Sequence, residues 1–228
     1  MTKLLIVLSA LVVACATAFA QAPAASAPAA AAPAQKAPAG AKSIEAKVAM
    51  CVGCHSIPGY QASFPEVHKV PMISGQGAKY IAAALTAYKN GDRKHPTMRG
   101  IATSLSEQDI NDIAAFYAAQ AKPGSDKLSE ASGQAAELLK KGNCVSCHGA
   151  NLSKPIDPSY PKIAGQHADY MFVALKSYKA DANPNVGRSN AVMGAIAKQF
   201  SNAELKELSK YVSSVEGELT VRPESRFR

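Results

Sequence analysis

Hydrophobic residues recur at helical spacing in two segments, one near the middle of the chain and one near its end. Intervals of three or four residues place the apolar positions on one face of a helix. Ser106 and Ser201 precede these segments as candidate N-caps, and Ser201 with Glu204 fits a capping box. The pattern predicts two amphipathic helices, each with one buried face. The apolar positions are Ile110, Ile113, Ala114 and Tyr117 in the first helix and Leu205, Leu208, Val212 and Val215 in the second.

The chain also contains an internal repeat. The segments "GQGAKYIAAALTAYK" at 75–89 and "GQHADYMFVALKSYK" at 165–179 share Gly, Gln, Ala, Tyr, Ala, Leu, Tyr and Lys in register. Each copy has a short helix ending in a cysteine motif, a loop ending in Pro71 or Pro161, a Gly-Gln helix, a second loop and a final helix. The sequence therefore predicts an all-α fold of two tandem domains. Because each domain is small and buries a limited core, we expect another group to fill its centre.

Changes in composition divide the chain further. The first residues combine Lys3, an apolar run too short to span a bilayer, and the small residues "ATAFA", which predicts an export signal cut after Ala20. The next segment is almost entirely Ala and Pro, which favours an extended linker, and "AKPGSDKLSE" has the breaker residues of a connection between domains. The predicted segments are a signal peptide at 1–20, a linker at 21–42, domains at 43–122 and 128–219, and a basic tail at 220–228.

Export leaves two fates open for the mature protein. Cleavage after Ala20 gives a soluble periplasmic protein, whereas "VVAC" is a loose match to the pattern in which Cys15 becomes acylated. We favour cleavage after Ala20, with loose membrane association also allowed. Loss of Lys3 with the signal lowers the net charge from +8 to +7, and the lysines are scattered, so a nucleic-acid role is disfavoured.

The cysteine motifs are "CVGCH" at 51–55 and "CVSCH" at 144–148. Four interpretations compete: disulfides, a redox-active dithiol, one zinc site with four sulfurs, and two covalently attached haems. Neither a disulfide nor a dithiol requires the histidine that follows the second cysteine in both copies. Haem attachment requires all three residues, since two cysteines and a histidine on one helical face can bond the haem and its iron. The pattern therefore favours two c-type haems, held through Cys51, Cys54 and His55 and through Cys144, Cys147 and His148.

A second iron ligand separates an electron carrier from an enzyme. Met98 and Met193 occupy equivalent loop positions before the final helices, and both are followed after two residues by Ile-Ala. We predict that these two methionines are the sixth ligands. The rivals are less well placed because they adjoin the cysteines, lack a counterpart in the second copy, or fall within the Gly-Gln helix; they are Met50, Met72, His68, His95 and Met171.

The duplicated set of Cys-x-x-Cys-His, Pro-x-Ile-x-Gly-Gln and a methionine before the final helix resembles the dihaem cytochromes c4 over 43–219. The resemblance implies two class I cytochrome c domains related by a pseudo-twofold axis, with haems facing each other across the domain contact. It implies a periplasmic carrier that takes electrons from an upstream cytochrome c reductase and passes them toward a haem-copper terminal oxidase.

The resemblance also implies roles for particular residues. His55 and Met98 would ligate the first iron, and His148 and Met193 the second. The carbonyls of Pro71 and Pro161 would accept the other ring N–H of the histidines. Gly75 and Gly165 would begin the helices packed near the haems.

Two departures and two alternative functions accompany this resemblance. The loop from Cys51 to Pro71 is longer than that from Cys144 to Pro161, and the run before Met193 is longer than that before Met98, so the two haem potentials are expected to differ. A dihaem enzyme, such as a peroxidase or a thiosulfate-oxidising cytochrome, would use similar attachment motifs but normally needs an open iron position. A bound subunit of a respiratory complex would explain the linker.

Overall fold

The computed structural model describes residues 42–124, 130–180 and 183–224. The predicted signal peptide, Cys15, nearly all of the linker, the predicted start of the second domain at Leu128 and the last four residues lie outside this part of the chain. The described helices and strands, in chain order, are α1 (Ile44–His55), β1 (Gln61–Ala62), β2 (His68–Lys69), α2 (Ala78–Asn90), β3 (Arg93–Lys94), α3 (Pro96–Thr103), α4 (Glu107–Ala118), α5 (Gly133–Lys141), α6 (Cys144–His148), α7 (Ala168–Ser177), β4 (Gly187–Arg188), α8 (Ala191–Ala197) and α9 (Asn202–Ser214).

In the first half, α2 and α1 both pack on α4. The helix α4 begins where the sequence predicts, because the Ser106 side chain accepts the backbone N–H of Asp109 while the Asp109 carboxylate accepts that of Ser106. The predicted apolar face of α4 is buried against Val52 of α1 and Leu85 of α2 in one core. A buried apolar face of this kind is the main source of stability for a short helix.

In the second half, α7 and α5 pack on α9, whose capping box of Ser201 and Glu204 forms as predicted. The cysteine motif is arranged differently from its counterpart. In the first half it completes the single helix α1, whereas here Gly142 ends α5 and Asn143 adopts a left-handed conformation at φ 47° before α6. The second copy therefore has a short helix ending in the motif, as predicted, but this helix is α6 alone and is separate from α5.

Backbone hydrogen bonds join the two halves at two places described here. The strands β3 and β4 pair antiparallel, with Arg93 opposite Arg188. The segment after α9 returns to the first half, where Thr220 N donates to Ser74 O at 3.1 Å and Lys122 N donates to Glu218 O at 3.1 Å. We call residues 218–220 the return segment. It places the end of the second half against the first.

The helical, two-domain fold predicted from the sequence is confirmed. Met98 and Met193 differ from expectation because they lie within α3 and α8 rather than in loops. Each is in the first turn of a short helix whose N-cap side chain accepts the methionine's own backbone N–H. Among the described residues, no helix has the length and apolar character needed to cross a membrane.

Candidate haem sites

A cavity of about 640 Å³ runs through the described part of the protein and is lined by residues of both halves. Most of its lining side chains are apolar. The Cys-x-x-Cys-His residues of both motifs border it, as do Met98 and Met193. The structure therefore brings together the residues that the sequence assigns to the two sites.

The four motif cysteines are unpaired thiols in the structure, and burial raises the pKa of Cys51 to about 11 and also raises that of Cys144. A redox-active dithiol needs a lowered pKa, because the thiolate is the nucleophile. Within the described ranges, no three His, Cys, Asp or Glu side chains are grouped to hold a metal ion. The thiols are thus arranged as two separate pairs, each beside a histidine at the cavity, and this arrangement disfavours the disulfide, dithiol and shared-zinc interpretations.

The two motif histidines have matching environments. His55 Nδ1 lies 2.8 Å from Pro71 O, and His148 Nδ1 lies 2.9 Å from Pro161 O. Burial lowers the pKa of both imidazoles, so the neutral form is favoured. A neutral ring that donates from Nδ1 to a carbonyl presents an unprotonated Nε2, which is the form that binds iron.

The two methionines are also positioned in matching ways. His95 caps α3 and its Nδ1 accepts Met98 N at 3.4 Å, while Asn190 caps α8 and its Oδ1 accepts Met193 N at 2.9 Å. The rival residues border the cavity as well, so lining the cavity does not by itself choose the ligand. Equivalence between the halves does favour the two methionines, since α3 and α8 precede α4 and α9 in the same order.

Several rivals have other roles in the structure. Met50 lies at the edge of the cavity, and 61% of the residue is exposed to solvent. Met171 is buried on α7 in the core of the second half. His68 is buried, with Nδ1 held 2.8 Å from Glu66 O, and His95 serves as the cap of α3.

A cluster of arginines and tyrosines at the cavity was not identified from the sequence. The Arg93 guanidinium donates to Tyr80 Oη at 3.0 Å, and that of Arg188 donates to Tyr170 Oη at 3.0 Å. Each guanidinium also lies over tyrosine rings of its own half, within 5.1 to 5.8 Å of the ring centroids. The signal in the sequence was the recurrence of both tyrosines of each repeat in register, followed by an arginine in each second loop.

This cluster has an electrostatic consequence. Burial alone would lower the pKa of Arg188, yet the neighbouring tyrosines raise it well above the usual value, so the side chain stays cationic. Among the described residues, no carboxylate forms a salt bridge with either arginine. Both arginines are partly buried, and partly buried cations that no carboxylate neutralises are unfavourable. They fit a ligand that brings its own carboxylates into the cavity, as the propionates of a haem would.

In each half, two motif thiols, a neutral histidine, an apolar lining and a partly buried arginine with no carboxylate partner among the described residues together define a cytochrome c. The family model for cytochrome c matches the chain twice, over residues 37–119 and 133–216. The chain belongs to the cytochrome c4 family, in which two such domains occur in tandem, and it binds two covalent c-type haems.

Relatives and solved structures agree with this assignment. The chain is 30% identical over 180 residues to cytochrome c4 of Pseudomonas aeruginosa, covering 75% of this chain and 86% of that protein. It is 29% identical over 186 residues to a protein of Stutzerimonas stutzeri named thiosulfate dehydrogenase electron acceptor, covering 77% of this chain and 82% of that protein. The structure of Acidithiobacillus ferrooxidans cytochrome c4 superposes with a TM-score of 0.56 at 26% identity, covering 73% of this chain and 99% of that one. The structure of Pseudomonas stutzeri cytochrome c4 superposes with a TM-score of 0.55 at 26% identity, covering 75% of this chain and 96% of that one. The protein is therefore a dihaem electron-transfer protein.

Proposed function

We propose that the protein is a periplasmic electron carrier that accepts electrons from an upstream cytochrome c reductase and passes them toward a haem-copper terminal oxidase. His55 and Met98 hold the first haem iron in this proposal, and His148 and Met193 hold the second. Cleavage after Ala20 releases the protein as a soluble form, without acylation of Cys15.

The equivalence of the two sites is the observation that carries the proposal. When bound, each haem supplies an iron that gains and loses one electron. Pro71 and Pro161 hold the imidazoles in the iron-binding orientation, and capped helices hold the two methionines at the same cavity. A thioether donor would raise the reduction potential, and two complete ligand sets would leave no iron position open to peroxide. This matching pair of sites favours a carrier over a dihaem peroxidase.

Carbon monoxide binding tests the ligand assignment. The reduced wild-type protein should not bind carbon monoxide readily. Met98→Ala and Met193→Ala should each open one haem to it and lower the potential of that haem by on the order of 0.1 V, a fraction of the roughly 0.8 V range that axial ligands control. Met72→Ala is the matched control, because Met72 also borders the cavity but has Lys162 as its counterpart. Binding of carbon monoxide to the wild type at one haem would contradict the carrier proposal and favour the enzyme.

A second candidate is the role of electron acceptor for a thiosulfate dehydrogenase. The relative of Stutzerimonas stutzeri that bears this name supports it. Stopped-flow mixing can compare reduction of the oxidised protein by a thiosulfate dehydrogenase with thiosulfate, by a cytochrome c reductase, and by thiosulfate alone. The oxidase proposal predicts rapid reduction by the reductase and rapid reoxidation by membranes containing a haem-copper oxidase. Rapid reduction by the dehydrogenase with thiosulfate, but not by the reductase, would favour the second candidate. Reduction by thiosulfate without another protein would favour a thiosulfate-oxidising enzyme.

A further inference from the structure

Two glutamines of the repeat hydrogen-bond, through their side chains, to the opposite half of the protein. Gln76 and Gln166 occupy the same position in the two Gly-Gln motifs, and only 4% of each residue is exposed. Among the described residues, neither amide group pairs with another side chain, and the Oε1 of each also accepts the backbone N–H of the next residue, Gly77 or His167. Each instead reaches a backbone segment of the opposite half.

The two crossings are nearly identical. Gln166 Oε1 accepts Met72 N at 3.0 Å, and Gln166 Nε2 donates to Met72 O at 2.9 Å. Gln76 Oε1 accepts Lys162 N at 2.9 Å, and Gln76 Nε2 donates to Lys162 O at 2.8 Å. Each side chain thereby satisfies both backbone groups of one residue in the other half.

The residues that the glutamines reach follow the prolines whose carbonyls accept hydrogen bonds from the motif histidines. Pro71 and Met72 share one peptide group, whose C=O accepts the Nδ1–H of His55 and whose N–H donates to Gln166. The peptide of Pro161 and Lys162 joins His148 to Gln76 in the same way. Each histidine is thus one peptide group away from a glutamine of the opposite half.

Hydrogen bonds in series polarise one another, by about 10–30% per bond. An oxygen that accepts the peptide N–H makes the carbonyl of the same peptide a stronger acceptor. A stronger acceptor at Nδ1 makes the imidazole more basic, and a more basic ligand favours ferric iron. The glutamine can therefore lower the reduction potential of a haem in the other half.

We propose that Gln166 tunes the potential of the haem in the first domain and that Gln76 tunes that of the haem in the second, each acting from the opposite domain. This inference rests on the proposed function, in which His55 and His148 bind iron. The glutamines are positioning residues that act through a peptide and a histidine. Domain contact and haem potential are consequently linked at two equivalent points.

Removal of the amide should have a crossed effect. Gln166→Met keeps the length of the side chain but removes both hydrogen bonds to Met72, together with the one that Gln166 Oε1 accepts from His167 N, so the first-domain haem should become easier to reduce. The equilibrium constant for its reduction should rise roughly two- to fivefold. Gln76→Met should have the same effect on the second-domain haem.

Spectroscopic redox titration of the holoprotein can separate the two haems with the help of a second substitution. Met193→His should lower the potential of the second-domain haem, which leaves the methionine-ligated component to the first domain. Met98→His isolates the second-domain haem in the same way. Gln166→Met is then measured in the first background and Gln76→Met in the second, and each glutamine variant is also measured in the opposite background.

The possible results separate the inference from the proposed function on which it rests. A rise confined to the haem of the opposite domain supports the inference. Equal shifts at both haems, a shift at the haem of the same domain, or no shift would overturn it. If Met193→His and Met98→His fail to separate the components, the ligand assignment itself is wrong, so the two proposals fail distinguishably.

Two more variants control for a loosened domain contact. The pair Lys176 and Glu66 also bridges the halves, at 2.6 Å. The charge-neutral double variant Glu66→Gln/Lys176→Gln should therefore leave both potentials unchanged. Gln166→Glu retains an acceptor oxygen, so it should leave the first-domain potential at or below the wild-type value. A rise equal to that of Gln166→Met would contradict the proposed role of the oxygen. The Gln166→Glu variant also keeps the inference testable if Gln166→Met does not fold.

Discussion

The two halves present the same haem-attachment motif on different backbones. In the first half the motif completes a 12-residue helix, and Ser56 follows His55 at φ −105°. In the second half the motif forms a five-residue helix, and Gly149 follows His148 at φ 84°. Despite this difference, the two histidine-to-proline hydrogen bonds agree within 0.1 Å. The comparison teaches that the geometry of the histidine is maintained while the helix that carries it varies.

The largest expected effect follows from exchanging the residue after each histidine. A Cβ at Gly149 would lie 2.1 Å from Lys154 O, in addition to the cost of a positive φ. Gly149→Ser should therefore destabilise the second domain by about 3 kcal/mol or more. The reciprocal change Ser56→Gly should cost about 1 kcal/mol or less, because a glycine can adopt that conformation at an entropic cost. Urea unfolding followed by circular dichroism measures both. Equal costs would show that the two backbones are interchangeable.

A smaller difference is expected between the glycines of the two Gly-Gln motifs. Both have positive φ, but a Cβ at Gly75 would lie 2.5 Å from Glu218 O, whereas one at Gly165 would lie 3.3 Å from Val215 O. Gly165→Ala should cost about 1 to 2 kcal/mol through strain alone, and Gly75→Ala about 3 kcal/mol. Thermal unfolding of the two variants compares them. A larger loss for Gly165→Ala would contradict the role of the return segment in this difference.

The smallest expected effect concerns acid stability at the two capping boxes. The hydroxyl of Ser106 is the main cause that holds the pKa of Asp109 at about 2, whereas the backbone N–H of Ser201 is the main cause that holds the pKa of Glu204 at about 2. A carboxyl group whose pKa is lowered in the folded protein stabilises the fold at any pH above its pKa in the unfolded chain. This stability is lost as the pH falls toward 2. Ser106→Ala and Ser201→Ala should each cost about 1 kcal/mol at neutral pH.

The two serine variants should differ in their acid response. Ser106→Ala should flatten the loss of stability between about pH 4 and pH 2 more than Ser201→Ala does, because only the former removes the main cause of the shift. Urea midpoints measured across this range compare the variants. Identical pH profiles would show that the two capping boxes respond alike.

Local patterns in the sequence predict the final helices, their caps and both haem motifs, since each depends on residues a few positions apart. Ser201 and Glu204 illustrate this, because the two residues of the capping box are only three positions apart. The break at Asn143 was missed although Gly142 and Asn143 are residue types that often end helices, because a single helix was predicted there. The glutamine crossings were missed for a different reason. Gln166 meets Met72 across 94 positions, and nothing local indicates such a contact.

The return segment gives the first domain a dependence on the order of synthesis. Gly75 and Ser74 are made before Glu218 and Thr220, which lie against them but follow them by more than 140 positions. At about 5–20 residues per second, the interval between them is on the order of ten seconds. A chain that stops before residue 218 would lose part of its first domain as well as the end of its second. A truncation between α9 and residue 218 should therefore destabilise the first domain, which was made first, as well as the second.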